Sequence, residues 1–239
     1  MSQNRVPLNR ALSKLGILSR RQATDAIRDG RVRVNGRIVR NPELPVVPEE
    51  VRLEVDDAPK RRAAWRTILL HKPRGVVTTR HDPEGRRTIY DVLGAEGAGL
   101  IAVGRLDLAT SGLLLLTTDT QLANRITDPA SSVRRVYLVT VRGKVEADEA
   151  SRVTSGIRVG RDTLQASAVA IRKASGRESH LTVELVEGKN REIRRLFSAI
   201  GHEVTRLKRV QLGALELGPL APGAWRELSR AEAERVFAI

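Results

Sequence analysis

Nine residues bounded by glycines, GRLDLATSG at 104–112, separate two apolar runs and constrain how this part of the chain can fold. The runs, Leu100–Val103 and Leu113–Leu116, have the length and composition of buried strands. The segment between them is therefore predicted to be a loop at the mouth of a sheet, with Asp107 as its carboxylate. Considered alone, an aspartate in a loop most often accepts hydrogen bonds from nearby backbone N–H groups as a turn or helix cap. The alternative is a carboxylate held in a functional site, and other parts of the sequence decide between the two.

Composition excludes several classes of protein. The 239 residues are 41% hydrophobic and contain neither an apolar run long enough to span a bilayer nor a hydrophobic N-terminal signal, so we expect a cytoplasmic protein without a membrane partner. The absence of cysteine removes disulfides and thiolate nucleophiles. The four histidines lack the spacing of metal ligands. We therefore expect no metal.

The charge of the chain is its strongest global signal. Lys and Arg number 42 against 28 acidic residues, which gives a net charge of +14. Such a chain attracts polyanions through phosphate contacts and counterion release, although a protein that is merely basic remains the alternative. Only six residues are Phe, Trp or Tyr, so arginine and shape rather than aromatic stacking must provide most of the contact with a nucleic acid.

The first part of the chain has the pattern of two short helices followed by a hairpin. A helix is predicted over 6–15 and ends at Gly16, and a capping box at Ser19 begins a second helix that runs through Ile27. Alternating residues then flank Asn35-Gly36, the strongest short signal for a tight hairpin turn. These elements are expected to form one compact unit.

This unit carries a cluster of arginines. Residues 1–62 contain 14 basic and 8 acidic side chains. A charge run is most often a solvated face, but here arginine dominates, which favours phosphate binding. The predicted RNA-binding residues of the cluster are Arg20, Arg21, Arg28, Arg31, Arg33 and Arg37.

The polar stretch 56–62 reads as a linker, since it contains a proline and charges on both sides. The predicted organisation is a small module over 1–58, a linker over 59–64 and a larger domain over 65–239. In the larger domain, strands are predicted at Thr67–Leu70, Val136–Val141 and Leu181–Val186. A capping box at Thr118 predicts a helix that stops before Asp128-Pro129. Strands and helices without a regular alternation predict an α+β fold with a mainly antiparallel mixed sheet and flanking helices.

A second basic motif, EGKNREIRRLF at 187–197, is predicted to begin an amphipathic helix that ends at Gly201. Ile193 and the other apolar residues of this helix share one face. Arg191 and Arg195 lie on the opposite face, and Arg194 lies at the boundary between the two. A solvated basic helix is the ordinary interpretation. Lys208 and Arg209 are expected to extend the basic surface.

Together, the motifs support a resemblance. LSRRQATDAIRDGRVRVNGRIV at 18–39 resembles the small RNA-binding module of ribosomal small-subunit protein four. KPRG, GRLDLATSG, RRVY and EGKNREIRR follow in order, and the whole is similar to bacterial ribosomal RNA pseudouridine synthases of the small-subunit uridine synthase A type, a family that also includes large-subunit synthases.

The resemblance implies roles for individual residues. Asp107 matches the catalytic aspartate, and Arg105 matches an arginine that occupies the gap left by the flipped uridine. Tyr137 matches the tyrosine that packs on the target base, and Arg194 matches a basic residue paired with the aspartate. Further predicted RNA contacts are Lys72, Lys189, Arg191 and Arg195.

The chemistry agrees with the composition. Isomerising uridine to pseudouridine breaks a C–N bond and makes a C–C bond without gain of atoms or change of redox state, so a carboxylate acting as nucleophile or base is needed and a cofactor is not. The resemblance implies ribosomal RNA or a pre-ribosomal particle as partner, and we expect a monomer. EGKNREIRR favours the large-subunit RNA. The rival interpretations are a non-catalytic RNA-binding or assembly protein and a nucleoside hydrolase, which would require a second acid or a metal.

Overall fold

The computed structural model describes residues 5–15, 17–18, 20–48, 50–59 and 64–237. The chain divides into two compact units. The first comprises residues 1–66, 99–101 and 117–124, and the second comprises 67–98, 102–116 and 125–239. No helix in the described ranges is long and apolar enough to cross a membrane.

The first unit contains the two helices and the hairpin that the sequence predicts. Its elements, in chain order, are β1 (Val6–Pro7), α1 (Leu8–Lys14), α2 (Arg20–Arg28), β2 (Val32–Val34), β3 (Arg37–Ile38), β4 (Pro45–Val46), β5 (Leu53–Val55) and β6 (Ala58–Pro59). Asn35 and Gly36 have φ angles of 50° and 80°, the left-handed conformation that a tight hairpin turn requires. Gly16 and Ser19, to which the sequence assigns a helix end and a cap, lie outside the described residues.

The apolar residues at helical spacing form the core of this unit. Leu8, Leu12 and Ile27 are fully buried and pack with Val32 of β2. Leu8 and Leu12 lie four residues apart and therefore share one face of α1. Each of these elements thus presents one apolar surface to the others.

A second hairpin occupies part of the predicted linker. Asp56 and Asp57 adopt φ angles of 56° and 55°, and this turn lets β6 pair antiparallel with β5. The prediction that 56–62 is a linker throughout is therefore wrong at its start, because two consecutive aspartates can adopt the left-handed turn that is more often signalled by Asn-Gly. Residues 60–63 of the predicted linker lie outside the described residues.

The remaining chain contains a large mixed sheet, a separate two-stranded sheet formed by β11 and β12, and several α-helices. The strands of this part of the chain are β7 (Thr67–Lys72), β8 (Ile101–Ala102), β9 (Ser111–Thr117), β10 (Arg135–Arg142), β11 (Ile157–Val159), β12 (Asp162–Leu164), β13 (Ala168–Ala174), β14 (Glu178–Leu185), β15 (Val204–Leu212), β16 (Leu215–Glu216) and β17 (Trp225–Leu228). Its α-helices are α3 (Ile89–Leu93), α4 (Thr120–Thr127), α5 (Ala147–Ser155), α6 (Glu192–Ala199) and α7 (Arg230–Phe237). Short 3₁₀ turns cover Gly94–Gly97 and Pro129–Ser131.

The nine-stranded sheet confirms the predicted fold class. Its main order is β13-β14-β10-β15-β9-β7-β17, with β16 beside β15 and β8 beside β9. The registered pairs are antiparallel except for β15 with β9, which run parallel. All described positions of β7 are buried, as are all but the first of β9, which explains why both strands read as continuous apolar runs rather than alternating ones.

Three helix starts differ from the sequence prediction. Helix α1 begins at Leu8 and not at residue 6, because Val6 and Pro7 form strand β1, which pairs with β4. Helix α4 is capped by Asp119, whose carboxylate accepts hydrogen bonds from the backbone N–H groups of Gln121 and Leu122, and not by Thr118. Helix α6 begins at Glu192, because Arg191 has a φ of 49° and interrupts the helical conformation before it. The predicted apolar face of α6 is confirmed, since Ile193 is buried with the other residues on it.

Candidate active site

Asp107 lies in a loop whose backbone is held at every carbonyl from residue 106 to residue 110. The Thr78 hydroxyl donates to the carbonyl of Leu106, and the Gly75 amide donates to that of Leu108 over 2.8 Å. The amide of Thr110 closes a turn on the carbonyl of Asp107 over 2.9 Å. Since donors from several parts of the second unit hold this loop, the position of the Asp107 side chain is preorganised.

Lys72 is the main support of the loop. It is fully buried, and its ammonium donates to the carbonyls of Pro73, Asp107 and Thr110 over 3.1, 3.2 and 2.9 Å. Burial lowers the pKa of Lys72 to about 8, and the negative charge of Asp107 opposes that effect. The prediction that Lys72 contacts RNA is wrong, because a side chain with no exposed surface holds the loop from within. Its motif, KPRG, shapes the loop that carries the aspartate.

Arg194 reaches the same loop from helix α6. Its guanidinium donates to the carbonyl of Ala109 over 3.3 Å and to that of Val204 over 2.7 Å. The pKa of Arg194 is lowered, chiefly by burial and then by the charge of Arg191, while the charge of Asp107 raises it. Arg194 thus contributes both a tether to the loop and a positive charge near the carboxylate.

The loop opens into a cavity of about 470 Å³ within the second unit, a volume in the range of small-molecule sites. Asp107 and Arg105 line it from the loop, and Tyr137 lines it from β10 with only 8% of its surface exposed. Arg105 is exposed, as expected for a side chain at the edge of a cavity. Among the described residues, the carboxylate of Asp107 accepts no hydrogen bond and forms no ion pair, so it is available to a ligand.

The opposite wall comes from the segment that precedes and begins α6. Lys189, Arg191 and Glu192 line the cavity there, and the Lys189 ammonium binds the Glu187 carboxylate over 2.7 Å. Arg195 is not among the lining residues: its guanidinium pairs with Asp162 over 2.7 Å and donates to the carbonyl of Val159. Arg195 therefore connects α6 to the hairpin formed by β11 and β12.

Buried polar side chains of this wall were not predicted as site residues. Glu192 is 3% exposed, and one of its carboxylate oxygens accepts from the amide of Lys189 over 3.0 Å. Burial, with the nearby charge of Glu187, raises the pKa of Glu192 to about 7. Glu192 is the first residue of α6, and no local sequence pattern marks its carboxylate as buried.

Two buried arginines, Arg135 and Arg209, also line the cavity. Arg135 donates to the carbonyls of Val133, Val186 and Ile126, and burial lowers its pKa. Arg209 is 4% exposed, which corrects the expectation that it extends a basic surface. The alternation of side chains along a strand would have predicted this burial, because Arg209 lies two residues after the buried Leu207 and so shares its face.

The predicted RNA-binding arginines of the first unit differ in their surroundings. Arg31 pairs with Asp29 and Asp56, and Arg33 pairs with Asp57 over 2.9 Å. The other four are exposed and form no ion pair with a described residue: Arg20, Arg21, Arg28 and Arg37.

Comparison with known proteins agrees with this organisation. The family model described as RNA pseudouridylate synthase matches residues 66–199, and that of the S4 domain matches residues 6–51. An uncharacterized RNA pseudouridine synthase of Aquifex aeolicus is 39% identical over 233 residues, which cover 97% of this chain and 94% of the relative. The ribosomal large subunit pseudouridine synthase B of Escherichia coli (strain K12) is 38% identical over 232 residues, covering 94% of this chain and 80% of the relative.

A solved structure extends the similarity to the fold. A crystal structure of a pseudouridylate synthase superposes with a TM-score of 0.67 at 30% sequence identity, and the match covers 97% of this chain and 99% of the other. The family match spans the loop of Asp107, the strand of Tyr137 and the helix of Arg194. With an aspartate-bearing loop, an aromatic wall and a basic helix in one matched region, this chain belongs to the RNA pseudouridylate synthase family and carries an S4 domain before the synthase region.

Proposed function

We propose that this protein converts a uridine of large-subunit ribosomal RNA to pseudouridine, with Asp107 as the group that acts on the flipped-out nucleotide. The observation that carries the proposal is the clamped loop, in which five successive carbonyls are fixed while the Asp107 carboxylate stays without a protein partner at a cavity. The choice of substrate rests on relatives named ribosomal large subunit pseudouridine synthase B.

The proposed reaction needs an ionised carboxylate beside the glycosidic bond. The C1′–N1 bond breaks, the uracil rotates and C5 bonds to the same sugar carbon; C5 then loses its proton, and N1 of the base takes up a proton. Asp107 serves as nucleophile or base in this sequence. Arg194, whose guanidinium is bonded to the carbonyl of Ala109 in the same loop, supplies a positive charge near this carboxylate.

The proposed roles of Tyr137 and Arg105 concern the flipped nucleotide. Flipping a base costs a few kcal/mol of stacking and pairing, which contacts in the pocket must offset. The buried ring of Tyr137 supplies an apolar wall for uracil, and the exposed Arg105 at the edge of the cavity is suited to fill the gap left in the RNA. Lys189 and Arg191, which are also exposed, supply positive charge for nearby phosphates.

We also propose that the first unit binds ribosomal RNA or a pre-ribosomal particle through its exposed arginines, and that the protein acts as a monomer in the cytoplasm. The proposal keeps the predicted module over 1–58, but Pro59, the first residue of the predicted linker over 59–64, belongs to β6 and pairs with β5. Its support is the S4 match and the excess of basic residues in this part of the chain.

The test is conversion of uridine in ribosomal RNA by the wild type and by Asp107→Asn. We expect pseudouridine from the wild type, none from the variant, and RNA affinity within about two-fold for both. Asp148→Asn, on the exposed surface of α5, is the matched control and should retain full activity.

Each result has one consequence. Product from Asp107→Asn at the wild-type rate would remove Asp107 from its role. Mapping of pseudouridines in cells that lack the protein identifies the target, and loss of a site in the small-subunit RNA would contradict the proposed substrate.

A further inference from the structure

Buried polar atoms without a partner concentrate at the active-site cavity. Among the described residues they are Thr110 Oγ1, Glu192 Oε1, Arg194 Nε and Arg209 Nη2. Three of these residues line the cavity, and the fourth, Arg194, is bonded to the loop of Asp107. Buried polar groups in native proteins are nearly always hydrogen-bonded to protein, water or a ligand, so a molecule that enters this cavity meets donors and acceptors that the protein itself does not use.

Arg209 is the most informative member of this set. It lies on β15, opposite Tyr137 of β10 in the antiparallel register. Its Nε donates to the carbonyl of Leu113 over 2.8 Å, which fixes the plane of the guanidinium while Nη2 stays unbonded. The side chain is 4% exposed and forms no ion pair with any residue that the structure describes.

An unpaired buried cation is costly, and its surroundings do not relieve the cost. The charge of Arg209 contributes to lowering the pKa of the neighbouring Arg135, whose own nitrogens already bind three backbone carbonyls. A fixed donor that lacks an acceptor in the free protein is suited to an acceptor that arrives with the substrate.

Uracil provides such an acceptor. It carries carbonyl oxygens at C2 and C4, and a base that packs on Tyr137 also lies beside the strand position of Arg209. When the C1′–N1 bond breaks with its electron pair on the base, negative charge spreads onto these oxygens, so a fixed cationic donor stabilises the transition state more than the ground state. A phosphate, which is strongly hydrated, is better suited to the exposed Lys189 and Arg191.

We propose that Arg209 contacts the substrate directly, its Nη2 donating a hydrogen bond to a carbonyl oxygen of the target uracil. The inference rests on the proposed function and deepens it, because it assigns a residue that recognises the base and stabilises the charge that develops on it.

The experiment uses single-turnover conversion of a ribosomal RNA fragment with uridine, 2-thiouridine or 4-thiouridine at the target position. Sulfur is a weaker acceptor than oxygen, so one of the two thio RNAs should react at least about ten-fold more slowly with the wild type. In Arg209→Met the uridine RNA should itself react about 10²-fold more slowly, and the thio replacement should then change the rate by less than about two-fold. Such a coupling requires a direct contact, whereas a merely structural role would leave the thio effect intact.

Arg206→Met is the matched control, since Arg206 lies on the same strand, is exposed and does not line the cavity. The thio RNA should slow this variant as much as it slows the wild type. RNA with a methylphosphonate next to the target uridine tests for a phosphate partner instead, and coupling of that replacement to Arg209 would overturn the proposal.

The outcomes separate this inference from the proposed function. Absence of product from wild type and uridine RNA contradicts the proposed function. Normal product with no slowing by either thio RNA overturns only the role of Arg209, and this result does not depend on whether Arg209→Met folds. An equal thio effect in wild type and a folded Arg209→Met likewise overturns it.

Discussion

The ammonium of Lys72 donates a hydrogen bond to the backbone carbonyl of Asp107 over 3.2 Å, so the proposed catalytic residue is held through its main chain by a buried cation. We expect Lys72→Met to leave RNA affinity within about two-fold but to lower kcat by about 10²-fold, because a shift of about 1 Å in a reacting group has an effect of that size. Single-turnover rates and RNA titrations measure the two quantities separately. A loss of affinity with unchanged kcat would show that Lys72 acts on RNA after all.

The charge of Asp107 also affects Lys72 through space. Burial places the pKa of Lys72 at about 8, and Asp107 acts to raise it. Asp107→Asn should therefore lower the pKa of Lys72 further, which NMR titration of ¹³C-labelled lysine side chains can follow. Asp148→Asn should leave that pKa unchanged, since Asp148 is an exposed residue on α5.

Glu192 makes stability depend on pH. Its pKa of about 7 in the folded protein exceeds the ordinary value of 4.5, so folding favours the protonated form, and stability falls as pH rises from about 4.5 through 7. Glu192→Gln should unfold at a higher temperature than the wild type at pH 8 and at nearly the same temperature at pH 4.5. The difference corresponds to about 3 kcal/mol at most, at 1.36 kcal/mol per pKa unit. Equal unfolding temperatures at both pH values would contradict the raised pKa.

The exposed and the paired arginines of the first unit should contribute differently to RNA binding. Replacement of Arg20 and Arg21 by Gln should reduce affinity and lower the dependence of log K on log salt by about one unit for each phosphate that the protein no longer binds. The same double replacement at Arg31 and Arg33, which already pair with aspartates, should have a smaller effect. Binding measured between 50 and 200 mM salt, about the range over which such interactions weaken, compares the two variants.

Gly112 should not tolerate a side chain. A Cβ at this position would lie 2.6 Å from the backbone nitrogen of Arg209 and closer still to its carbonyl oxygen, and the φ of +110° strains any other residue. We expect Gly112→Ala to destabilise the protein by more than about 3 kcal/mol, because the clash is with backbone that cannot rotate away. Thermal unfolding measures this, with Gly176→Ala as control, since Gly176 has open space around it and no positive φ. A Gly112→Ala protein as stable as the control would contradict the close approach of the two strands.

Sequence patterns predicted the elements whose signals are local. The Asn35-Gly36 hairpin, the apolar runs of β7 and β9 and the apolar face of α6 are each decided by neighbouring residues, and each is confirmed. The turn at Asp56-Asp57 was missed because two aspartates take the left-handed conformation that Asn-Gly more often signals.

The residues of the candidate site also differ in whether the sequence could predict their positions. A motif can identify Asp107 and Tyr137, but it cannot show that Lys72 is buried or that Arg209 lies inside the sheet, because the burial of a charged side chain depends on strands distant in sequence. Basic residues were therefore predicted to contact RNA even where the structure uses them to hold backbone carbonyls.

The parallel pairing of β9 with β15 also bears on how the family motif should be interpreted. The final glycine of GRLDLATSG belongs to strand β9 and lies against the backbone of Arg209, so it reflects the spacing of two strands and not the mobility of a loop. A designer who grafts the aspartate loop onto another scaffold would need to transplant this neighbouring strand as well. The smallest portable unit of the site is thus larger than the nine-residue motif: it includes β15 beside β9, together with Lys72 of β7 and Arg194 of α6, whose side chains hold the carbonyls of the loop.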